Sequence, residues 1–216
     1  SELTAASPVF ARAMAECEEA LSPHMGFSLA GALRGGEGAP PPERVDVVQP
    51  ALFAVMVSLA GLWRSFGVEP AAVIGHSQGE VAAAHIAGAL SLQDAARVVA
   101  LRSRALLELS GKGGMVSVFL PPEETAQLIA PWGERLSGAA FNGPATAVVS
   151  GEPDALRELL EACEEQGVRA RAIAVDYASH SHQVEGIEQQ LLAHLAPTSP
   201  RPAQIPIYST VTGEPI

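Results

Sequence analysis

The pentapeptide Gly75-His76-Ser77-Gln78-Gly79 contains the residue of this chain that is best suited to covalent chemistry. A G-x-S-x-G sequence between a strand and a helix holds a serine on a sharp turn, where the next backbone N–H can stabilise an oxyanion. The short apolar run at residues 71–74 predicts the strand, and the alanine-rich stretch at 78–90 predicts the helix. Ser77 is therefore the candidate nucleophile.

A serine nucleophile needs a general base, and the chain contains six histidines. Three of them are predicted to be structural or solvated, namely His24, His85 and His194. His180 directly follows residues 175–179 at the end of a predicted strand, and His182 lies two positions further on. Sequence spacing alone leaves both of these histidines open as the base.

Arg102 lies on the apolar stripe of a predicted helix from Leu92 to about Leu109, which the capping box Ser91-Leu92-Gln93-Asp94 opens. A guanidinium on a buried face needs an anionic partner or a wet cavity, because it keeps its charge. A substrate carboxylate, an internal ion pair and a side chain that extends to the surface explain this position equally well.

The elements around these residues predict an α/β fold made of two parts. Residues 8–21 and 50–66 are expected to be helices, the second of them apolar on every face and therefore buried. Between residues 114 and 178 the pattern becomes strand 115–119, helix 122–129, strands 136–141 and 145–149, helix 153–166 and strand 168–175. A helix at 184–195 and a strand at 205–209 follow. We predict a hydrolase-like core with a parallel sheet at residues 1–113 and 179–216, and a ferredoxin-like (βαββαβ) subdomain at 114–178.

Composition excludes several classes of partner. With 13 Lys and Arg against 24 Asp and Glu, the net charge of −11 argues against nucleic acid as a partner. The longest uncharged apolar run, residues 50–63, is shorter than the roughly 20 residues that cross a bilayer, so no membrane partner is expected. Cys17 and Cys163 have no metal-ligand spacing, which predicts no metal site and the unreactive thiols of a cytoplasmic protein.

Five motifs together resemble the acyltransferase domain of modular type I polyketide synthases, which is related to the malonyl-CoA:acyl-carrier-protein transacylases. They are Gly-His-Ser-Gln-Gly-Glu at 75–80, Leu-Arg-Ser-Arg at 101–104, Phe-Asn-Gly-Pro at 141–144, Val-Val-Ser-Gly at 148–151 and Tyr-Ala-Ser-His at 177–180. The resemblance implies that Ser77 is acylated, that His180 is the base, and that Arg102 binds the carboxylate of the extender unit.

The resemblance also implies the kind of extender unit. Residues 177–180, residues 44–48 and Gln78 are similar to the methylmalonyl-selective pattern, whereas malonyl-selective relatives tend to have His-Ala-Phe-His. A serine at position 179 leaves room for the α-methyl group, which is worth about 1 to 3 kcal/mol of discrimination. The substrate-binding residues implied are Arg102, Gln78, Tyr177, Ser179, His76, Gln49 and Asn142.

The implied reaction transfers methylmalonyl from CoA to Ser77 and then to the pantetheine thiol of an acyl carrier protein. It needs no cofactor, because the CoA thioester and the carrier phosphopantetheine are substrates. The implied partners are the acyl carrier protein and neighbouring domains of a multifunctional synthase in antibiotic biosynthesis.

Two alternatives and two departures from the family pattern accompany this interpretation. A serine thioesterase or esterase would need an acid between Ser77 and the histidine, and a carrier-docking module would have lost catalysis. Against the family pattern, the sequence begins after a Gly-Gln-Gly strand and ends before further helices. We therefore expect an excised piece in which the active site is incomplete at both ends.

Overall fold

In a computed structural model that describes residues 2–35 and 38–216, those residues form nine α-helices and six strands. The helices are α1 (Glu2–Ala6), α2 (Pro8–Leu21), α3 (Leu29–Leu33), α4 (Val45–Ser65), α5 (Gly79–Ile86), α6 (Leu92–Leu106), α7 (Pro122–Ile129), α8 (Pro153–Glu165) and α9 (Glu188–Leu195). The strands are β1 (Val73–Ile74), β2 (Gly114–Val118), β3 (Leu136–Gly143), β4 (Thr146–Gly151), β5 (Ala170–Ile173) and β6 (Ile207–Tyr208).

The chain divides into two compact units. The first comprises the described residues up to Arg104 together with Leu191–Ile216, and the second is Ala105–Gln190. The predicted boundaries of the core and the subdomain, at residues 113/114 and 178/179, stay a prediction.

The core of the first unit is helical. Ser7 caps α2 by accepting a hydrogen bond from the Phe10 N–H at 3.3 Å, and Pro8 occupies the first turn. Helices α2 and α4 pack against each other, and the core between the helices includes the fully buried Leu21 and Phe53. Helix α5 packs on α4 at this core and also contacts strand β1.

Helix α4 differs from its prediction in length and in burial. It begins at Val45, not at residue 50, and it contains Pro50. Phe53 and Ala54 are fully buried, but Leu52 is 47% exposed and Trp63 is 60% exposed, so the prediction of burial on every face is wrong. The reason is that an apolar pattern identifies which faces avoid water without specifying what covers each of them.

The 21 residues of α4 are also long and apolar enough to cross a membrane by length and composition. Of the best 18-residue window, 56% is buried inside the protein, as in the core helices of soluble proteins. The helix is longer than the uncharged run at residues 50–63, because its first turn includes Asp46 and its last turn includes Arg64.

Strands β1 and β6 form a parallel pair in the first unit, with Val73 opposite Ile207 and Ile74 opposite Tyr208. The parallel pairing confirms the predicted arrangement, although each strand is shorter than the predicted ranges 71–74 and 205–209. Ile74 is 67% exposed, so β1 is not covered on both faces by the described residues.

The second unit contains an antiparallel sheet in the order β3-β4-β2-β5. This is the strand order of the predicted βαββαβ arrangement, and helix α7 has the predicted bounds. Val116, Val118 and Val149 of the sheet pack with Leu156 and Leu159 of α8 in one buried cluster. Together, the parallel and antiparallel sheets confirm the predicted α/β class.

Candidate active site

Ser77 lies on a tight turn between β1 and α5, and its backbone is in the left-handed region with φ of 52°. Such a conformation costs a non-glycine residue about 1 to 3 kcal/mol and is found at functional sites. Gly75 allows the turn to pack on the helix, because a Cβ placed there would lie 2.3 Å from the backbone nitrogen of Glu80. The structure therefore contains the strained strand-turn-helix that a nucleophilic serine requires.

The first turn of α5 is closed by hydrogen bonds to the carbonyl groups of the elbow. The Gly79 N–H donates to His76 O and the Glu80 N–H donates to Ser77 O, both at 3.0 Å. Ser77 therefore lies at the positive end of the helix, where developing negative charge is stabilised. Beside it, the side-chain Oε1 of Gln78 is buried and accepts no hydrogen bond from the described residues.

Arg102 and Gln49 meet across 53 positions of sequence. The Arg102 Nη1 donates to the Gln49 Oε1 at 2.8 Å, and Gln49 is buried on α4 with 6% of its surface exposed. The predicted capping box is present at the start of α6, where the Asp94 N–H donates to Ser91 Oγ at 3.0 Å and the hydroxyl donates to the Asp94 carboxylate. A capped helix and a buried amide thus fix the position of the guanidinium.

Residues 44–48 comprise Arg44, which immediately precedes α4, and the first turn of that helix. Arg44 Nε and Nη2 donate to the two carboxylate oxygens of Asp46 at 2.6 and 2.8 Å, and Asp46 is 8% exposed. Val45 and Val47 are buried, so this segment orders the helix turn that leads to Gln49.

Residues 177–180 form a short segment of the second unit. Tyr177, Ala178 and Ser179 are at most 9% exposed, whereas His180 is exposed and has φ of 58°. His182 is exposed at the start of the 3₁₀ helix His182–Ile187, which occupies the first part of the predicted helix 184–195.

The structure groups the predicted site residues by unit. His76, Ser77 and Gln78 form the elbow, and Gln49 contacts Arg102, all in the first unit. Tyr177, Ser179 and His180 share one segment of the second unit, and Asn142 is exposed near the end of β3 in the same unit.

Two other histidines have local surroundings that lower their pKa. Burial is the main cause for His85, whose Nδ1 lies 3.1 Å from Leu90 O in a hydrogen bond that opposes the lowering of the pKa. Burial also lowers the pKa of His24, and the charges of Arg97 and Arg104 act in the same direction. No group of three or more His, Cys, Asp or Glu side chains suited to a metal ion occurs within residues 2–35 and 38–216.

Sequence reasoning missed the contacts that hold residues 176–183 in the second unit. The Ser110 hydroxyl donates to the Asp176 carboxylate across 66 positions, and Gln183 Nε2 donates to Lys112 O at 3.2 Å. The closeness of Asp176 to His180 in sequence was the available signal, but it did not indicate Ser110 as the partner.

A profile of the family described as "Acyl transferase domain" matches residues 1–216. The chain belongs to the acyl transferase domain family. It is an acyltransferase, and the resemblance identified from its motifs is confirmed.

Relatives of this acyl transferase domain are polyketide synthase proteins. It is 62% identical over 216 residues to the spectinabilin polyketide synthase system protein NorA of Streptomyces orinoci, covering 100% of this chain and 11% of that protein. It is 58% identical over 207 residues to erythronolide synthase EryA3 of Saccharopolyspora erythraea, covering 96% of this chain and 6% of that protein. The chain thus spans about a tenth or less of these relatives.

Solved structures show the same fold. The acyltransferase domain from module 8 of the salinomycin polyketide synthase has a TM-score of 0.94 and 61% identity, covering 97% of this chain and 50% of that one. FabD from Acinetobacter baumannii, at 24% identity and a TM-score of 0.84 over 95% of this chain and 67% of that one, shares the fold.

Proposed function

We propose that this acyl transferase domain loads a methylmalonyl unit from CoA onto Ser77 and passes it to the pantetheine thiol of an acyl carrier protein within a polyketide synthase. The observation that carries the proposal is the Arg102 guanidinium, which a buried glutamine holds at 2.8 Å in the same unit as the strained Ser77. The polyketide synthase relatives support the carrier protein and the neighbouring synthase domains as partners.

The proposed reaction has two half-reactions with one acyl-enzyme between them. The Ser77 Oγ attacks the thioester carbonyl, His180 takes the hydroxyl proton, and backbone N–H groups at the start of α5 stabilise the oxyanion. The carbon–sulfur bond breaks, and CoA leaves as a thiol with the proton from His180. The carrier thiol then gives its proton to His180 and attacks the Ser77 ester. The carbon–oxygen bond breaks, and His180 returns the proton to the Ser77 oxygen. Both steps are acyl transfers between sulfur and oxygen, so the proposal requires no metal or redox cofactor.

Arg102 gives the reaction its preference for dicarboxylic acyl groups. A guanidinium can bind a carboxylate with two parallel hydrogen bonds, and the Gln49 amide restricts the motion of the Arg102 side chain. Binding energy from this distant charge positions the thioester carbonyl for attack. A neutral ester would make no use of such a group.

Three features support methylmalonyl as the extender unit. Ser179 is 8% exposed and Tyr177 is 9% exposed, so both side chains are packed, and serine leaves more space than phenylalanine would. Gln78, whose side-chain Oε1 is buried, follows the nucleophile, and residues 44–48 match the same family pattern.

Covalent loading of the full-length protein tests this function. We expect incubation with methylmalonyl-CoA to leave a methylmalonyl mass on the Ser77 peptide, which Ser77→Ala abolishes because the attacking hydroxyl is gone. His180→Ala should slow loading by about 10²-fold or more, since the base is lost, whereas His182→Ala is the matched control and should not. Release of free acid without an adduct would indicate an esterase, and no reaction at all would indicate a carrier-docking module.

A further inference from the structure

A set of hydrogen bonds outside the predicted site holds the segment that contains His180. Asp176 is tied to the preceding loop at two points, because its carboxylate accepts from the Ser110 hydroxyl and its carbonyl oxygen accepts from the Gly111 N–H at 2.7 Å. All of these residues belong to the second unit. The entrance to the segment is therefore fixed by both side-chain and backbone hydrogen bonds.

A second set of contacts fixes the exit from the same segment. Ser181 Oγ donates to Ala178 O at 2.8 Å and accepts from the Gln183 N–H at 3.3 Å. The Gln183 side chain then reaches back to Lys112 O at 3.2 Å. The same loop, residues 110–113, thus binds the chain on both sides of His180.

Close packing reinforces these hydrogen bonds. A Cβ added to Gly113 would lie 2.6 Å from both the Cβ and the backbone nitrogen of Ala178, which is fully buried. No real Cβ makes contacts this short, so only glycine allows the loop to lie against Ala178.

His180 needs such support because its φ is 58°. A non-glycine residue in this region is strained by about 1 to 3 kcal/mol and keeps the conformation only when its surroundings enforce it. If the hydrogen bonds to Asp176 were lost, the backbone at His180 could relax, and the imidazole would move away from the position in which it acts as the base.

We propose that Ser110 and Asp176 are positioning residues for acyl transfer, which hold the backbone of His180 in its strained conformation. The proposal rests on the proposed role of His180 as the base. In a catalytic triad the acid binds the imidazole. Here the Asp176 carboxylate accepts a hydrogen bond from Ser110 and supports the backbone that leads to His180. Its negative charge is therefore dispensable, and its capacity to accept a hydrogen bond is not.

The test uses single-turnover acylation of Ser77 by methylmalonyl-CoA in the full-length protein. We expect Asp176→Ala and Ser110→Ala each to lower the acylation rate constant by about tenfold to a hundredfold with little change in KM, as a small misplacement of a catalytic group does. The double variant should be no worse than the more damaging single variant. Asp176→Asn, which can still accept the Ser110 hydroxyl, should return the rate to within about threefold of the parent protein.

Asp154→Ala is the matched control, because Asp154 is an exposed aspartate of the same unit that pairs only with its neighbour Arg157 on α8 among the contacts described. It should leave the rate and the melting temperature unchanged. The proposal would be overturned if Asp176→Ala acylated at the parental rate, or if Asp176→Asn were as slow as Asp176→Ala. A rate loss that is matched by a rise in KM would also overturn it.

Labelling of Ser77 with a fluorophosphonate tests the positioning role of Ser110 and Asp176 independently of the proposed substrate. Phosphonylation forms the Ser77 Oγ–P bond, breaks the P–F bond, releases fluoride and transfers the hydroxyl proton to the base, with no extender unit involved. Parent protein that is phosphonylated but keeps no methylmalonyl would refute the substrate alone, and the variants would still be compared by their phosphonylation rates. Parent protein that is not phosphonylated would overturn both proposals.

Discussion

Ser77 and His180 are the non-glycine residues with positive φ among the described residues, at 52° and 58°. They belong to different units, and each is supported by contacts within its own unit, namely the first turn of α5 for Ser77 and the loop at residues 110–113 for the segment of His180. Strain of this kind persists only where the surrounding structure over-determines it. Two residues with proposed chemical roles thus share a conformation that their sequence context alone could not reveal.

Arg102 yields a prediction about charge at the same scale. We expect Arg102→Ala to lower kcat/KM for methylmalonyl-CoA and to increase relative activity with propionyl-CoA, because a half-buried cation no longer penalises a neutral acyl group. Gln49→Leu should shift the same ratio by a smaller amount, about tenfold, because the guanidinium loses its fixed partner.

The ratio of the two kcat/KM values measures this effect, and Arg104→Ala, an exposed arginine of the same helix, is the control. In the double variant, Gln49→Leu should not change the ratio beyond the value for Arg102→Ala, since Gln49 is expected to act through its hydrogen bond with Arg102. An unchanged ratio in Arg102→Ala would mean that the arginine only stabilises the fold.

At the scale of elements, the two glycines of the elbow have different surroundings. A Cβ on Gly75 would clash with the backbone of Glu80 at 2.3 Å, whereas a Cβ on Gly79 would meet only the Met56 sulfur at 4.0 Å. The G-x-S-x-G motif contains glycine at both positions and does not distinguish them. Of these two glycines, the structure indicates that packing requires glycine at position 75 and not at position 79.

This difference predicts opposite results from one substitution at two sites. Gly75→Ala should lose soluble protein or melt at a clearly lower temperature, because backbone atoms must move to admit the methyl group. Gly79→Ala should fold normally and even gain up to about 1 kcal/mol, since alanine replaces glycine in the first turn of a helix. Thermal melting and fluorophosphonate labelling of Ser77 measure both effects. Equal damage from the two variants would contradict the packing argument.

Local chemistry explains which elements could be predicted. The Ser91 capping box and helix α7 depend on residues a few positions apart, and both agree with their predictions. Strand β1 and the exposed side of α4 depend on what packs against them, which is not encoded locally. The elbow was likewise visible as a motif, whereas the Arg102–Gln49 and Ser110–Asp176 contacts join residues 53 and 66 positions apart and needed the folded structure.

On the scale of the whole molecule, the pattern that resembles methylmalonyl-selective relatives is distributed over both units. Gln78 and residues 44–48 belong to the first unit, and residues 177–180 belong to the second. The Arg44–Asp46 pair joins the residue before α4 to the first turn of that helix, so its contacts order the start of α4. Tyr177 and Ser179, in contrast, are buried side chains whose volume can change the available space directly.

Replacing Tyr177 with histidine and Ser179 with phenylalanine should therefore relax selectivity without inverting it. The larger ring should penalise the α-methyl group by about 1 to 3 kcal/mol, while malonyl, one methyl smaller, still fits. Gln78 and residues 44–48 would keep the methylmalonyl pattern, so both extender units should load. Competition between malonyl-CoA and methylmalonyl-CoA at equal concentration, measured as adduct masses on Ser77, tests this prediction. His182→Phe adds a ring at an exposed neighbouring position and should not change the product ratio. If the double variant is active with the parental ratio, the four-residue segment marks the family without shaping the acyl pocket, and extender selectivity must arise from other residues.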